Sequence, residues 1–400
     1  MLEGVRIALG VTGSIAAVKT VELAHELRRR GATVRAITTP ATENIVHPWA
    51  LEFATGEAVV TELTGAVEHV ELCGRDGWAD VLLVAPATAN TVGKMAAAID
   101  DTPVTTAATT AIGADLPVVV APAMHEPMHD HPGVGDSLDR LREWGIEIVP
   151  PRLEEGKAKI ATEAAIANTV ARVAGDGALA GESIVVSAGG TVSDVDPVRV
   201  LANRASGRMG REIAIAAAAR GADVTLVHGQ VGPHPLPAER PDLAVDLPNG
   251  VSLATVETTT ELETAVLEAS DGAAALVSAA AVGDFSIDPR DGKLDSGHSH
   301  AVTLEPAGKV IDAVHGAHPD LPIVPFKLES GALESLHASA RALRERVNAP
   351  FVVANLAETI AATESSAWIV DREGETGIDG SKRVVAERII DELTTVLTED

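Results

Sequence analysis

Tyrosine is absent from this chain of 400 residues, and aromatic residues make up only 2% of it. Its cores must therefore be filled by Ala, Val, Leu and Ile, an aliphatic packing that suits parallel sheets buried on both faces by helices. A single cysteine, Cys73, excludes an intramolecular disulfide framework and fits a reducing compartment. Positive charge is scarce: 31 Lys and Arg stand against 58 Asp and Glu, for a formal net charge of −27. A nucleic-acid binder needs a basic surface to release counterions from phosphates, so that class of partner is not expected, nor is an anionic membrane surface. No apolar run has transmembrane character, and no cationic segment followed by a long apolar stretch opens the chain, so a cytoplasmic protein is expected. We read the acid excess as solubility in a very salty cytoplasm, where screening over a few ångströms removes most self-repulsion. Unfolding no easier at low than at multimolar salt would refute that reading.

What is present is punctuation. The chain is longer than one hydrophobic core usually serves, so two domains are expected. From Val5 a short apolar run meets a Gly/Ser turn, a helical pattern over 15–30 ending at Gly31, and a strand over 33–38, which makes one βαβ unit. Further buried strands are expected at 81–85 and 118–121, each followed by a Pro-bearing loop, with a closing strand at 146–149. Right-handed crossovers place these loops on the carboxyl edge of one sheet, where open α/β folds bind ligands. The small, flexible stretch 174–181 marks the domain boundary, giving domains 1–178 and 179–400. A second series follows, with strands at 184–187, 223–227, 273–278, 322–326 and 351–354 and helices near 207–220, 333–347 and 382–397. Segments 229–241 and 288–300 read as mobile loops. The fold class is α/β, with two tandem Rossmann-like three-layer domains.

Two turns invite phosphate. Gly10-Val-Thr-Gly13-Ser14 sits between strand and helix, where backbone N–H groups and the Ser14 hydroxyl can meet an anion, although a plain tight turn reads equally well. Gly189 and Gly190 stand at the corresponding place in the second half and allow close backbone approach. The loop Pro86-Ala-Thr88-Ala89-Asn90-Thr91 offers small side chains with hydroxyl and amide groups, suited to lie against a flat ring. Pro122-Ala-Met124-His125-Glu-Pro-Met128 follows the next strand and converges with it.

With these runs, GVTGSIAAVKTVEL, HVEL, WADVLLVAPATANT and PAMHEPM, the first half resembles the cysteine-decarboxylating flavoproteins. The second half, with SAGGTVSDVDPVRVLANRASGRMGREIA and VSAAAVGDFS, resembles phosphopantothenate–cysteine ligase. Together they are similar, over nearly the whole chain and in the same order, to the bifunctional proteins of coenzyme A biosynthesis. For the first domain the resemblance implies FMN held by Gly13, Ser14, Thr39, Thr88 and Ala89, with Asn90 in the flavin and substrate pocket and His69 as catalytic histidine. Oxidation of the cysteinyl carbon next to sulfur would give a thioaldehyde, the electron sink for loss of carbon dioxide. A histidine titrating near pH 6.5 suits the proton transfers; without the resemblance, His69 would read as a strand-end histidine bonded to backbone. Met124 and His125 would contact substrate, His125 standing where the family usually has Asn; imidazole can still donate to a carboxylate. The family's bacterial members reprotonate from a cysteine that the stretch Glu154–Ala161 lacks. Lys157 or Lys159 takes that place, as proton donor or as substrate-phosphate contact.

For the second domain the resemblance implies CTP-dependent activation of 4′-phosphopantothenate as an acyl-cytidylate, followed by attack of the L-cysteine amine. Asn203 would hold that intermediate, Ala281 and Asp284 the nucleotide together with Gly189 and Gly190, and Phe326 would make an aromatic contact. Lys293 is a loop cation for the charge developing in the reaction, and Mg2+ would bridge triphosphate oxygens, its protein ligands unassigned. Leu343 and Val347 stand where the family carries lysines; Lys309, Lys327, Arg341, Arg344 and Arg346 are the nearby cations that remain, with solvated surface charge the plainer reading of the arginines. A homo-oligomer is implied: trimers of N-terminal domains, dimers of C-terminal domains, together a dodecamer. The alternative function is a ligase whose N-terminal domain is a non-catalytic flavin-binding scaffold or regulatory domain.

Overall fold

The computed structural model describes residues 1–155, 157–203, 205–229, 247–356 and 365–398; all but Gly229 of the loop expected at 229–241 lies outside them. The chain divides into two compact units between Asp176 and Gly177, with residues 247–249 grouped with the first.

The first unit is built on five parallel strands, β1 (Arg6–Val11), β2 (Thr33–Thr38), β3 (Val81–Ala87), β4 (Val118–Pro122) and β6 (Glu147–Ile148), in the order β2-β1-β3-β4-β6. All positions of β3, VLLVAPA, are buried, as a continuous apolar run requires when both sheet faces are covered. On one face Ala8, Leu82, Val84 and Val120 pack against Val92, Met95, Val104, Ala107 and Leu141 from the helices that follow β3 and β4. Against the other lie helices Thr20–Arg29, which buries Leu23, Ala24 and Leu27, and Glu163–Ala174. Each fully buried Leu contributes about 1.5–3 kcal/mol. Helix Pro103–Gly113 starts where Thr102 and Thr105 form a capping box with Pro at the first position.

Two features depart from expectation. The helix expected over 15–30 is a 3-10 turn, Ile15–Lys19, followed by the α-helix Thr20–Arg29. Ser14 tightens the entry, its carbonyl accepting from Ala17 N–H at 2.8 Å and its hydroxyl from Ala16 N–H at 3.3 Å. Further along, β5 (Met124–His125), β7 (Arg152–Glu154) and β8 (Lys157–Lys159) form a small antiparallel sheet, β5-β8-β7. Pieces of two and three residues carry no readable periodicity.

The second unit has eight strands in the order β13-β12-β9-β14-β17-β18-β19-β20. The first six, β13 (Val251–Val256), β12 (Asp223–Gly229), β9 (Ser183–Gly189), β14 (Ala275–Ser278), β17 (Ile323–Glu329) and β18 (Val352–Leu356), run parallel. β19 (Ser365–Val370) and β20 (Glu375–Gly380) extend the sheet antiparallel. Val185, Val227 and Leu276 face helices Thr259–Ser270 and Val310–Ala317, and helices Arg208–Ala219 and Lys382–Thr398 pack together as a further layer. A hairpin, β10 (Val192–Asp196) and β11 (Arg199–Ala202), and a short pair, β15 (Phe285–Ser286) and β16 (Glu305–Pro306), stand apart from the main sheet.

Candidate active sites

Because β1 to β4 run parallel, the segments Thr12–Ser14, Thr39, Thr88–Asn90 and Met124–His125 all leave the carboxyl edge of the first sheet. Strand order reverses at β1, with β2 on one side and β3 on the other, and such a switch opens a crevice between the outgoing loops. Thr12, which sequence reasoning passed over, ties the end of β1 to the loop after β3: its hydroxyl donates to Pro86 O at 2.7 Å and accepts from Thr88 N–H at 3.2 Å. Gly13 lies so close to the neighbouring loop that a Cβ there would sit 2.5 Å from the Ala41 Cβ. Thr39 is buried, its hydroxyl 2.9 Å from that of Thr42, which in turn donates to Val11 O at 2.7 Å. Thr88 caps helix Ala89–Ala96 by accepting from Thr91 N–H at 3.2 Å, leaving Asn90 exposed on its first turn. Thr38 adds a buried hydroxyl without a hydrogen-bond partner at the end of β2. An edge of small side chains, hydroxyls and close backbone fits a flat ring carrying a phosphate.

His69 lies on the short helix Glu68–Cys73 rather than at a strand end. Its Nδ1 is buried without a hydrogen-bond partner, and among the described residues no hydrogen bond joins it to the four loops. Cys73, one turn on, is a core residue whose thiol is pushed up to about 12 by burial. It is protonated at neutral pH and packs as a small apolar group.

The β5-β8 pairing sets His125 opposite Lys157 and Met124 opposite Ala158. The two segments that the resemblance singled out for substrate contact and proton supply are therefore cross-strand neighbours. Lys159 is held by Glu155 at 2.8 Å and Glu154 at 3.1 Å, and these hydrogen bonds raise its pKa. Lys157 is exposed on the same strand.

In the second unit one cluster forms around the end of β9. Gly189 adopts φ +74°, and a Cβ there would lie 2.1 Å from Gly229 O. Ala281 N–H donates to Gly189 O at 2.7 Å, and Gly190 bridges Ala281. Asn203 Nδ2 donates to Ala281 O at 3.0 Å. Thr191, another residue sequence reasoning missed, accepts from Gly283 N–H at 3.0 Å and contacts the Thr259 hydroxyl at 2.9 Å. Asp284 is exposed and paired with Lys309 at 2.5 Å. Phe326 is half-buried on β17, one residue beyond Pro325, the register partner of Ser278. Lys293 is exposed in the segment joining β15 to β16, and among the described residues no hydrogen bond ties it to Asn203 or Ala281. That segment is irregular, and its backbone is held at Arg290, whose N–H donates to Val195 O at 3.1 Å, and at Leu294.

Of the other cations, Lys327 pairs with Glu329 at 3.0 Å, Arg341 with Glu375 and Arg346 with Asp312, whereas the buried Arg344 Nε has no hydrogen-bond partner. Leu343 and Val347 belong to the core under their helix, so the positions where the family has lysines face inward here. Among the described residues no group of three or more His, Cys, Asp and Glu could hold a metal ion, and no helix is long and apolar enough to cross a membrane.

Comparison with known proteins matches this division. The flavoprotein family profile covers residues 1–175, and that of the DNA/pantothenate metabolism flavoprotein C-terminal domain covers 179–397. The coenzyme A biosynthesis bifunctional protein CoaBC of Thermococcus kodakarensis is 41% identical over 400 residues, spanning 99% of this chain and 96% of its own. The CoaBC of Methanocaldococcus jannaschii is 31% identical over 398 residues, spanning 98% and 94%. Among solved structures, the FMN-dependent cysteine decarboxylase SpaF is 35% identical over 44% of this chain and 99% of its own, with a TM-score of 0.39.

Proposed function

The chain belongs to the bifunctional CoaBC family of coenzyme A biosynthesis, and from that premise we propose that its two halves act in the reverse of their order in the sequence. The protein is an enzyme with both ligase and decarboxylase activities, and a flavoprotein whose flavin is FMN. In our reading residues 179–400 join L-cysteine to 4′-phosphopantothenate using CTP and Mg2+. Residues 1–178 then decarboxylate the product to 4′-phosphopantetheine in the cytoplasm.

The observation that carries the ligase assignment is the hydrogen bond from Asn203 to the Ala281 carbonyl, which joins two motifs 78 residues apart at the turn Gly189-Gly190. With Asp284 and Phe326 on the same carboxyl edge, the backbone turn receives the triphosphate and Asn203 orients the acyl group. Lys293 supplies positive charge as the acyl-nucleotide forms and collapses. Mg2+, when bound with the nucleotide, would neutralise charge on the triphosphate.

In the first domain Gly13, Ser14 and Thr39 seat the flavin phosphate, and Thr88, Ala89 and Asn90 border the ring. Bound FMN supplies two-electron oxidation of the carbon next to sulfur. His69, with its unsatisfied buried Nδ1, takes the thiol proton as the adjacent carbon gives up hydride, Met124 and His125 hold the substrate carboxylate end, and Lys157, opposite His125, returns a proton. Ile15, Val18, Trp49 and Phe53 are 79%, 55%, 75% and 79% exposed. Large apolar side chains left so open form the contact between N-terminal domains in a trimer, with ligase domains pairing into a dodecamer.

The test is product analysis on the purified protein with cysteine, phosphopantothenate and either CTP or ATP, alongside flavin absorbance and mass by light scattering. We expect 4′-phosphopantetheine with CTP, FMN-like absorbance, and a mass that is a multiple of three chains. Ligation without carbon dioxide release from FMN-loaded protein would favour the scaffold alternative, and equal turnover with ATP would remove the CTP assignment.

A further inference from the structure

Asp196 closes the hairpin between β10 and β11, yet its side chain is completely buried. Its Oδ1 accepts from the N–H groups of Val198 and Arg199, both at 2.8 Å, an ordinary local turn. Its Oδ2 does something the turn does not need. It accepts from Leu294 N–H at 3.0 Å, 98 residues away, and from the Arg199 guanidinium. Arg199 in turn donates to Leu294 O at 3.3 Å. The N–H and C=O of Leu294 are thus both gripped by one ion pair, and Leu294 is the residue directly after Lys293.

We propose that Asp196 and Arg199 are positioning residues of the ligase, which set Lys293 by clamping the peptide groups of Leu294. The inference rests on the reading of Lys293 given above. A lysine has a long flexible stem, and its ammonium can lie beside a developing charge only if the backbone that carries it is held; a misplacement of about 1 Å can cost 10²-fold. The second tether, from Arg290 N–H to Val195 O on the same hairpin, limits the segment on the other side of Lys293. The Leu294 amide, foremost among these contacts, helps hold the Asp196 carboxyl down to about 2, so the clamp is charged throughout any useful assay range.

A mutant cycle on the full-length protein tests this. Asp196→Asn keeps an acceptor for the hairpin turn but sets an amide against Leu294 N–H and removes the charge facing Arg199. Ligase kcat should fall about 10- to 100-fold with carbon dioxide release from supplied phosphopantothenoylcysteine unchanged, and trypsin should cut after Lys293 faster. In a Lys293→Ala background the same substitution should cost nothing further, because its effect passes through that lysine. Multiplying effects, or unaltered cleavage after Lys293, would overturn the proposal. Full ligase activity in Lys293→Ala alone would instead overturn the assignment of Lys293, and the clamp with it, while leaving CTP-dependent ligation standing. If Asp196→Asn abolishes cooperative unfolding of the ligase domain, Arg199→Gln, which leaves the Asp196 carboxylate its three amide donors, goes through the same cycle with the same criteria.

Discussion

Replacing His69 by Asn is expected to lower carbon dioxide release from phosphopantothenoylcysteine by about 10²- to 10⁴-fold, the span that general acid–base groups contribute. That range equals about 3–5 kcal/mol of transition-state stabilisation. The imidazole stands on an exposed-edged helix, and its Nδ1 is buried with no protein partner, an arrangement expensive to keep for structure alone. Asn is close in size and polar, so flavin content and CTP-dependent ligation should stay at wild-type levels; both are measured on the same preparation. A variant that loses flavin together with activity would move His69 from proton transfer to flavin binding. Lys157→Met in the same assay separates the roles left open for that lysine: a proton donor lowers kcat, whereas a phosphate contact raises KM.

Replacing Asn203 by Asp should reduce CTP-dependent pyrophosphate release by about 10²- to 10³-fold, as for removal of one oriented donor at a site of developing charge. The donation from Asn203 Nδ2 to Ala281 O at 3.0 Å would become a carboxylate facing a carbonyl, beside the turn proposed to receive an anionic nucleotide. Repulsion therefore opposes both the local fold and the ligand. Decarboxylation of supplied phosphopantothenoylcysteine should be untouched, and pyrophosphate release within a few-fold of wild type would show that Asn203 does not hold the acyl-nucleotide.

The main strands of the first sheet and five of the second, β9, β12, β14, β17 and β18, could be read in advance because a strand buried on both faces is written as an unbroken apolar run ending in a Gly or Pro turn. β3, with every position buried, is the plainest case. The outgoing loops were legible for the same reason, since parallel strands with helical crossovers leave only one edge for them. Edge strand β13, a half-exposed run broken by Ser252 and Thr255, was not, nor were three other features. The break of the first helix at Lys19 depends on how tightly the chain turns at Ser14, a matter of two local hydrogen bonds that leaves the apolar pattern unchanged. The antiparallel pair β19 and β20 follows six parallel strands and was hidden by their regularity. The β5-β8-β7 sheet is made of pieces too short to have a period.

By itself, then, the sequence determined the two-part α/β architecture, the carboxyl-edge loops and the chemistry they suit, because these follow from local pattern and from residue types that tolerate close backbone. Tertiary structure alone decided which residues meet: Thr12 on the loop after β3, His125 opposite Lys157, Asn203 on the Ala281 carbonyl, and Asp196 on the residue after Lys293. Each joins positions far apart in the chain, and such contacts are set by strand order and loop path, quantities that no local pattern encodes.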